Sequence, residues 1–279
     1  MDDRDRALGC FVGLAVGDAL GSPAEFKEPG EFEPITTMRY SGVWRTPAGY
    51  WTDDTSMALC LAESIIEHDE IKHLDILERF CRWYQLGENS STGRCFDIGN
   101  TIRRALEAWR RDGNMHGAPN SIWESGNGSI MRLAPVATRW FRNHDSLLAA
   151  AKAQGVVTHA SEPCVEGCAE LADILGRAIR GEPVMEGLGQ FASEQTNGVP
   201  NSGYVADTMI AAKWAVGSTT SFDDAVLAAA NLGGDSDTIA AVAGQIAGAI
   251  YGLSAIRQEW IDTLHDSKRL ISIAEMLYK

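Results

Sequence analysis

Along most of the chain, hydrophobic side chains recur every three or four residues, and this spacing is typical of helices that bury one face. Residues 55–68 show it well, with Met57, Leu61 and Ile65 each four positions apart. Strict alternation of apolar and polar residues, the pattern of a half-buried strand, is nearly absent. The periodicity predicts helices over 6–20, 55–68, 73–86, 97–111, 145–153, 163–180, 203–217, 221–230, 238–253 and 256–277.

Two long segments lack this periodicity. Residues 26–50 are rich in Gly and Pro, and residues 112–132 form a second irregular stretch. Loops of this length in a compact domain are usually functional. No repeat, low-complexity tract or linker divides the chain. We therefore expect one all-α domain over residues 1–279.

The charge of the chain limits its partners. It carries 38 acidic and 24 basic residues, a net charge of −14. Proteins that bind a nucleic-acid backbone usually present a basic face, so we expect no nucleic-acid partner. An anionic small ligand stays possible, because carboxylates that bind divalent cations reverse the local field.

The N-terminal residues lack the basic and apolar regions of a secretory signal. The apolar stretch Ile239–Leu253 is interrupted by Gln245 and is shorter than the roughly 20 residues of a membrane span. The six cysteines form no CxxC pair, which favours reduced thiols over zinc ligands. We expect a cytoplasmic monomer without a membrane span.

The strongest chemical signal is a pattern that occurs twice. Residues 51–58 read WTDDTSMA and residues 233–241 read GGDSDTIAA, so each places two carboxylates and a threonine at the start of an apolar helix. Helix capping explains such residues in general, because their oxygens accept from free backbone N–H groups. One cap, however, needs one oxygen. Buried carboxylates without Lys or Arg nearby require another cation, and all-oxygen ligation selects Mg²⁺, Mn²⁺ or Ca²⁺.

Five motifs in this order resemble the ADP-ribosylglycohydrolase family: GDALG at 17–21, WTDDT at 51–55, GNGSIMR at 126–132, Thr158-His159 and GGDSDT at 233–238. Members of this family include the dinitrogenase-reductase-activating glycohydrolase and the ADP-ribosylarginine and ADP-ribosylserine hydrolases. The resemblance implies an all-α orthogonal helical bundle with two Mg²⁺ or Mn²⁺ ions. It also implies that ADP-ribosylated protein is the substrate and ADP-ribose the product. The metal ligands that it implies are Thr52, Asp53, Asp54, Asp235, Asp237 and Thr238.

The resemblance also assigns catalytic roles. Glu25, by default an exposed loop residue, would lie near the metals as a general base, and Asp54 or Asp237 would steer water or protonate the leaving nitrogen. Asp97 is an ordinary helix cap by its sequence but would face the substrate ribose or transfer a proton. Asp18 is expected to bond backbone across a turn.

Substrate contacts are expected from two further regions. Asn127, Gly128 and Ser129 precede a helix whose free N–H groups could hold a pyrophosphate, although a plain loop has equal weight. By resemblance, His159 bonds phosphate or ribose; without it, a structural histidine is the default. Arg132 has two equal alternatives, a phosphate contact and a structural ion pair. Weaker candidates are Gly99 and Asn100, while Trp44, Tyr50 and Trp51 are expected to pack in the core.

The function that this resemblance implies is metal-dependent hydrolysis of the bond between ADP-ribose and a protein side chain. Arginine is the preferred linkage, with serine or a free ADP-ribose derivative as alternatives. Direct displacement and a ring-opening route are both compatible with the sequence. Two rival functions are a non-catalytic, crystallin-like member and a two-metal phosphoesterase.

Overall fold

The computed structural model describes residues 1–114, 118–188 and 198–279. The predicted all-α fold is confirmed: extended pairing in the described residues is limited to the isolated bridges Ser41–Thr46 and Gly126–Tyr204. In chain order the helices are α1 (Asp3–Gly21), α2 (Asp53–His68), α3 (His73–Leu86), α4 (Asn100–Asp112), α5 (Ala134–Trp140), α6 (His144–Gly155), α7 (Glu162–Ile179), α8 (Met185–Leu188), α9 (Val205–Gly217), α10 (Phe222–Ala230), α11 (Ser236–Tyr251), α12 (Gln258–Thr263) and α13 (Ser267–Tyr278).

Three helix predictions differ from the structure. The segment predicted as one helix over 256–277 is two helices, because Asp266 adopts a left-handed backbone with φ of 46°. The predicted helix over 97–111 begins only at Asn100, since Asp97 has φ of 51° and cannot be part of a right-handed helix. Helix α5 was not predicted. The irregular segment 112–132 includes residues outside the described ranges and a short 3-10 helix, Ile122–Glu124.

The centre of the fold is an antiparallel pair of apolar helices, α1 and α11. Glycines spaced four apart along α1 lie against the backbone of α11, so closely that no side chain fits between them. A Cβ atom added at these positions would lie 2.0–2.5 Å from a carbonyl oxygen of the partner helix, in the pairs Gly9 with Gly248, Gly13 with Gly244, Gly17 with Ala240 and Gly21 with Ser236. The C-terminal end of α1 therefore meets the N-terminal start of α11.

Other helices cover this pair, namely α2, α5, α7, α9, α10 and α13. Within the described residues one segment, Asp3–Ala24, is long and apolar enough to cross a membrane, but its most apolar 18-residue window is buried among its neighbours as in a core helix. The six cysteines are free, and five of them are buried. The fold thus places the end of α1 and the starts of α2 and α11 inside the protein.

Candidate metal centre

The start of α2 is capped by a residue of α1 and not by its own aspartates. Both carboxylate oxygens of Asp18 accept hydrogen bonds there, Oδ1 from the backbone N–H and hydroxyl of Thr52 (2.9 Å each), and Oδ2 from the N–H (3.0 Å) and hydroxyl (2.6 Å) of Thr55. Asp18 therefore has the structural role expected for it. Because it satisfies the free N–H groups, Asp53 and Asp54 are available for other ligands.

At the start of α11 only one aspartate bonds the helix backbone. Asp235 occupies the N-cap position, yet its side chain makes no cap hydrogen bond. One of its carboxylate oxygens accepts from the amide of Asn127 at 2.5 Å. Oδ1 of Asp237 accepts from the backbone N–H of Thr238 at 2.9 Å. The Ser236 hydroxyl donates to the carbonyl of Gly21 at 2.9 Å and fastens α11 to the end of α1. Helix capping therefore explains one oxygen of Asp237 and neither oxygen of Asp235.

The two acidic helix starts meet, although nearly the whole chain separates them. The Thr52 hydroxyl lies 3.2 Å from Oδ2 of Asp237, and the Thr238 hydroxyl lies 3.3 Å from Oδ1 of Asp54. Ligand atoms of Asp18, Asp54 and Asp237 all lie within 4.8 Å of one another, as do those of Glu25, Asp97 and Asp237. A cation bound between the two helix starts requires oxygen ligands this close together.

The carboxylates of this cluster repel one another. Burial, followed by the charges of neighbouring carboxylates, raises the pKa of Asp53, Asp54 and Asp237 well above its usual value. In the described part of the chain, no lysine or arginine forms a salt bridge with any of them. The Oδ2 atom of Asp54 is buried without a hydrogen-bond partner. An acceptor left in this state suits a metal ion, and an all-oxygen donor set suits Mg²⁺ or Mn²⁺.

Glu25 is almost completely buried, at 1% exposure, so the default expectation of an exposed loop residue is wrong. Its Oε2 accepts from the indole N–H of Trp44. Burial, and next the charge of Asp97, raises the pKa of Glu25 to about 9. Burial and then the charge of Asp235 raise the pKa of Asp97 to about 7. Asp97 lies three residues before α4, so it is not the helix cap that its sequence suggested.

A cavity of about 350 Å³ opens beside this cluster. Most of the site residues predicted from the sequence line it: Glu25, Asp53, Asp97, Gly99, Asn100, Asn127, Gly128, His159, Asp235, Asp237 and Thr238. The side chains of Thr52 and Asp54 are buried in the carboxylate cluster and do not line the cavity. Gly126, the first residue of the loop expected to hold a pyrophosphate, also lines the cavity. The sequence does not indicate the other lining residues, namely Phe26, Ile98, Thr101, Ile102, Met131 and Gly203.

Ser129 is the exception among the predicted substrate contacts. It is fully buried and does not line the cavity, because its side chain packs near Gly155. Arg132 is also fully buried, and neither of its two expected roles is found. It donates to Gln154 and Thr158 and lies over the ring of Phe80, without a carboxylate partner among the described salt bridges.

His159 is a neutral cavity residue held by a chain of hydrogen bonds. The Thr158 hydroxyl accepts from Arg132 at 2.8 Å and shares a second hydrogen bond of 2.8 Å with Nδ1 of His159. The other ring nitrogen, Nε2, lies on the side of Gly126 and Gly128. Burial, and then the positive charge of Arg132, lowers the pKa of His159 to about 3. A Cβ at Gly128 would lie 2.7 Å from this imidazole, which explains the glycine.

Trp44 was expected in the core but lies beside the site, where it holds Glu25. Trp51, in contrast, is buried as expected. No sequence pattern near Trp44 indicates its contact with Glu25, since the two residues are 19 positions apart in a segment without periodicity. Its role depends on how the 26–50 loop folds back onto the end of α1.

Together these features define a class: an all-α protein whose helix starts build a buried cluster of carboxylate and hydroxyl oxygens that could hold metal ions, beside a cavity large enough for a small ligand. The chain belongs to the ADP-ribosylglycohydrolase family, since the model of that family matches residues 1–279. The resemblance of the five motifs is thereby confirmed.

Relatives support the same assignment. The chain is 41% identical to the ADP-ribosylarginine hydrolase Tri1 of Pseudomonas putida (strain GB-1), over 98% of this chain and 78% of that protein. It is 33% identical to the ADP-ribosyl-[dinitrogen reductase] glycohydrolase of Rhodospirillum rubrum, over 94% and 90%. A solved structure described as an ADP-ribosylglycohydrolase-related protein complex superposes with a TM-score of 0.86 at 37% identity, covering 99% of this chain and 98% of that one.

Proposed function

We propose that this protein hydrolyses the glycosidic bond between ADP-ribose and an arginine side chain of a modified protein, with the aid of two divalent cations. The observation that carries the proposal is the convergence of two acidic helix starts on one cavity. The relatives at 40–41% identity are named ADP-ribosylarginine hydrolases, which favours the same activity here. The cavity wall contains no lysine or arginine among the described residues, and this suits a cationic leaving group.

Thr52, Asp53, Asp54, Asp235, Asp237 and Thr238 are the residues that would hold two Mg²⁺ or Mn²⁺ ions. Bound ions would supply positive charge that offsets the clustered carboxylates and favours attack by water at neutral pH. Asn127 positions Asp235 through the hydrogen bond between its amide and that carboxylate. Thr208 fixes Asn127 in turn, since its hydroxyl accepts from the same amide at 2.9 Å.

Proton transfer belongs to the carboxyl groups at the cavity edge. Glu25 is held by the Trp44 indole through one oxygen, and its ligand atom lies within 4.8 Å of Asp97 and Asp237. A carboxyl group held beside the reacting bond can act as a general acid or base. Glu25 and Asp97 therefore exchange the protons of the attacking water and of the leaving nitrogen, in direct displacement or in a ring-opening route.

The remaining wall binds the nucleotide part of the substrate. Gly126 and Gly128 have no side chains, so their backbone approaches the ligand closely, and His159 presents its Nε2 atom beside them. Such a surface suits the oxygens of a pyrophosphate or ribose. Binding energy gained there, away from the reacting bond, helps to orient the anomeric carbon.

The test is to offer proteins ADP-ribosylated on arginine and on serine, with and without Mn²⁺, to the wild type, Asp235→Ala and the exposed control Asp262→Ala. We expect the wild type and the control to release intact ADP-ribose from arginine when Mn²⁺ is present. Asp235→Ala should lose at least about tenfold to hundredfold, the loss that even a residue supporting a metal ligand causes.

Other outcomes separate the rival functions. Release of AMP would identify a phosphoesterase. Failure to bind Mn²⁺ at micromolar concentration in calorimetry would favour a non-catalytic member. Preferential cleavage of the serine-linked substrate would retain the enzyme class but change the linkage.

A further inference from the structure

Three aromatic rings lie together beside the cavity and apart from the hydrophobic core. The ring of Trp44 packs against Phe26 at a centroid distance of 6.0 Å and against Phe96 at 5.5 Å. None of the three belongs to the set of side chains that form or cover the core. Phe26 lines the cavity, and Trp44 lies behind it. Rings that stabilise a fold are normally joined to its core, so this cluster requires another explanation.

Phe26 is held in an unfavourable backbone conformation. Its φ is 60°, a region that bulky residues rarely adopt, and its side chain is 68% exposed. The backbone of Phe26 and Lys27 is fixed by two hydrogen bonds. The N–H of Phe26 donates to the carbonyl of Gly234 (2.7 Å), and the N–H of Gly234 donates to the carbonyl of Lys27 (2.9 Å). The loop that precedes Asp235 therefore also fixes the ring. Strain of this kind concentrates at ligand sites.

The electrostatic surroundings of Phe26 favour a cation. Its neighbour Glu25 points inward, and Asp97, next to Phe96, lines the same cavity. The Lys27 ammonium is engaged with the carbonyl of Pro23 at 2.7 Å. In the described chain, the arginine–ring stacks involve Phe80, Phe141, Tyr278 and Trp260, so no internal cation lies over the aromatic cluster.

We propose that Phe26, supported by Trp44, binds the guanidinium group of the leaving arginine through a cation–π contact and so contributes to selection of the arginine linkage. A planar cation fits both an aromatic face and the adjacent carboxylates, whereas a serine hydroxyl gains little from either. This inference rests on the proposed function and names the part of the cavity that recognises its leaving group.

The experiment uses ADP-ribosylated ethylguanidine, in which the guanidinium is the only cation of the leaving group. The KM for this substrate and the inhibition constants of free ethylguanidine and of ADP-ribose are measured with Mn²⁺. Phe26→Leu removes the aromatic face, and Phe26→Gly removes the ring while accepting the positive φ without strain. Phe26→Tyr retains the face. Tyr40→Leu is the matched control, since Tyr40 is another exposed aromatic of the same loop that does not line the cavity.

In Phe26→Leu and Phe26→Gly we expect the KM and the ethylguanidine constant to rise about tenfold, as one partly desolvated cation–π contact predicts. The ADP-ribose constant should change much less, and Phe26→Tyr and Tyr40→Leu should resemble the wild type. An unchanged KM in an active Phe26→Gly enzyme would refute this inference alone. An equal rise in the ADP-ribose constant would assign the ring to the nucleotide and refute it too. A wild type that releases no ADP-ribose would refute the proposed function together with it.

Discussion

The carboxylate cluster predicts an unusual dependence of stability on pH when metal is removed. In the folded, metal-free chain, burial and neighbouring carboxylates raise the pKa of Glu25 from 4.5 to about 9 and that of Asp97 from 3.8 to about 7. Near pH 6, therefore, the native metal-free protein holds nearly two protons that the unfolded chain has released. A group whose pKa is raised by folding adds stability at low pH, and this stability is lost as pH rises toward the folded pKa.

The magnitude follows from linkage. Each extra proton bound by the native state lowers the free energy of unfolding by about 1.4 kcal/mol per pH unit, so two protons give about 2.7 kcal/mol per unit. The raised pKa values of Asp53, Asp54 and Asp237 act in the same direction. Bound Mn²⁺ keeps the carboxyl groups ionised and removes most of this slope, because metal binding displaces their protons.

The assay is urea unfolding at pH 5, 6 and 7, in EDTA and in saturating Mn²⁺. The difference between the two slopes isolates the cluster from the rest of the chain. Asp97→Asn, which removes one of the two protons, should reduce the EDTA slope by about 1.4 kcal/mol per unit. A metal-free protein that grows more stable from pH 5 to 7, or equal slopes in EDTA and Mn²⁺, would refute the reasoning.

Two further predictions concern the helix pair and the histidine. Gly17→Ala places a Cβ 2.0 Å from the carbonyl of Ala240, so we expect it to destabilise the protein by roughly 1–3 kcal/mol or more in thermal unfolding, whereas Gly42→Ala, with open space around it, should not. His159, with a pKa lowered to about 3, should show one unchanging ¹⁵N spectrum from pH 5 to 8. Because its folded pKa lies below 6.5, its contribution to stability falls as pH drops below 6.5; titration near pH 6.5 would contradict the assignment.

Local sequence patterns predicted the features that depend on local structure. The spacing of apolar residues located most helices, because each helix buries one face and its apolar residues must therefore recur every three or four positions. The repeated acidic helix starts located the carboxylates that meet in the structure. The sequence also contains a signal for the central helix pair. Gly9, Gly13, Gly17 and Gly21 recur every four residues, which is the spacing of a close contact between two helices.

Features that depend on distant contacts were not predictable in this way. The capping of α2 by Asp18 joins residues 34 positions apart. The left-handed backbone of Phe26 is fixed by its hydrogen bond to the distant Gly234 and contradicts the usual preference of a bulky residue. Ser129 belongs to a motif that suggests ligand contact, yet only the packing against Gly155 decides which way its side chain points.

The glycine contacts between α1 and α11 have a consequence for genetics. Gly9 lies roughly 13 Å along the helix axis from Asp18, at a rise of 1.5 Å per residue, and it never approaches the cavity. Still, any side chain there would push α1 and α11 apart. The acidic groups lie where the C-terminal end of α1 meets the N-terminal start of α11, so their positions would change as well. A random-mutagenesis screen for inactive enzymes should recover glycine replacements throughout the first helix, and such alleles would be misread as harmless if only cavity positions were scored.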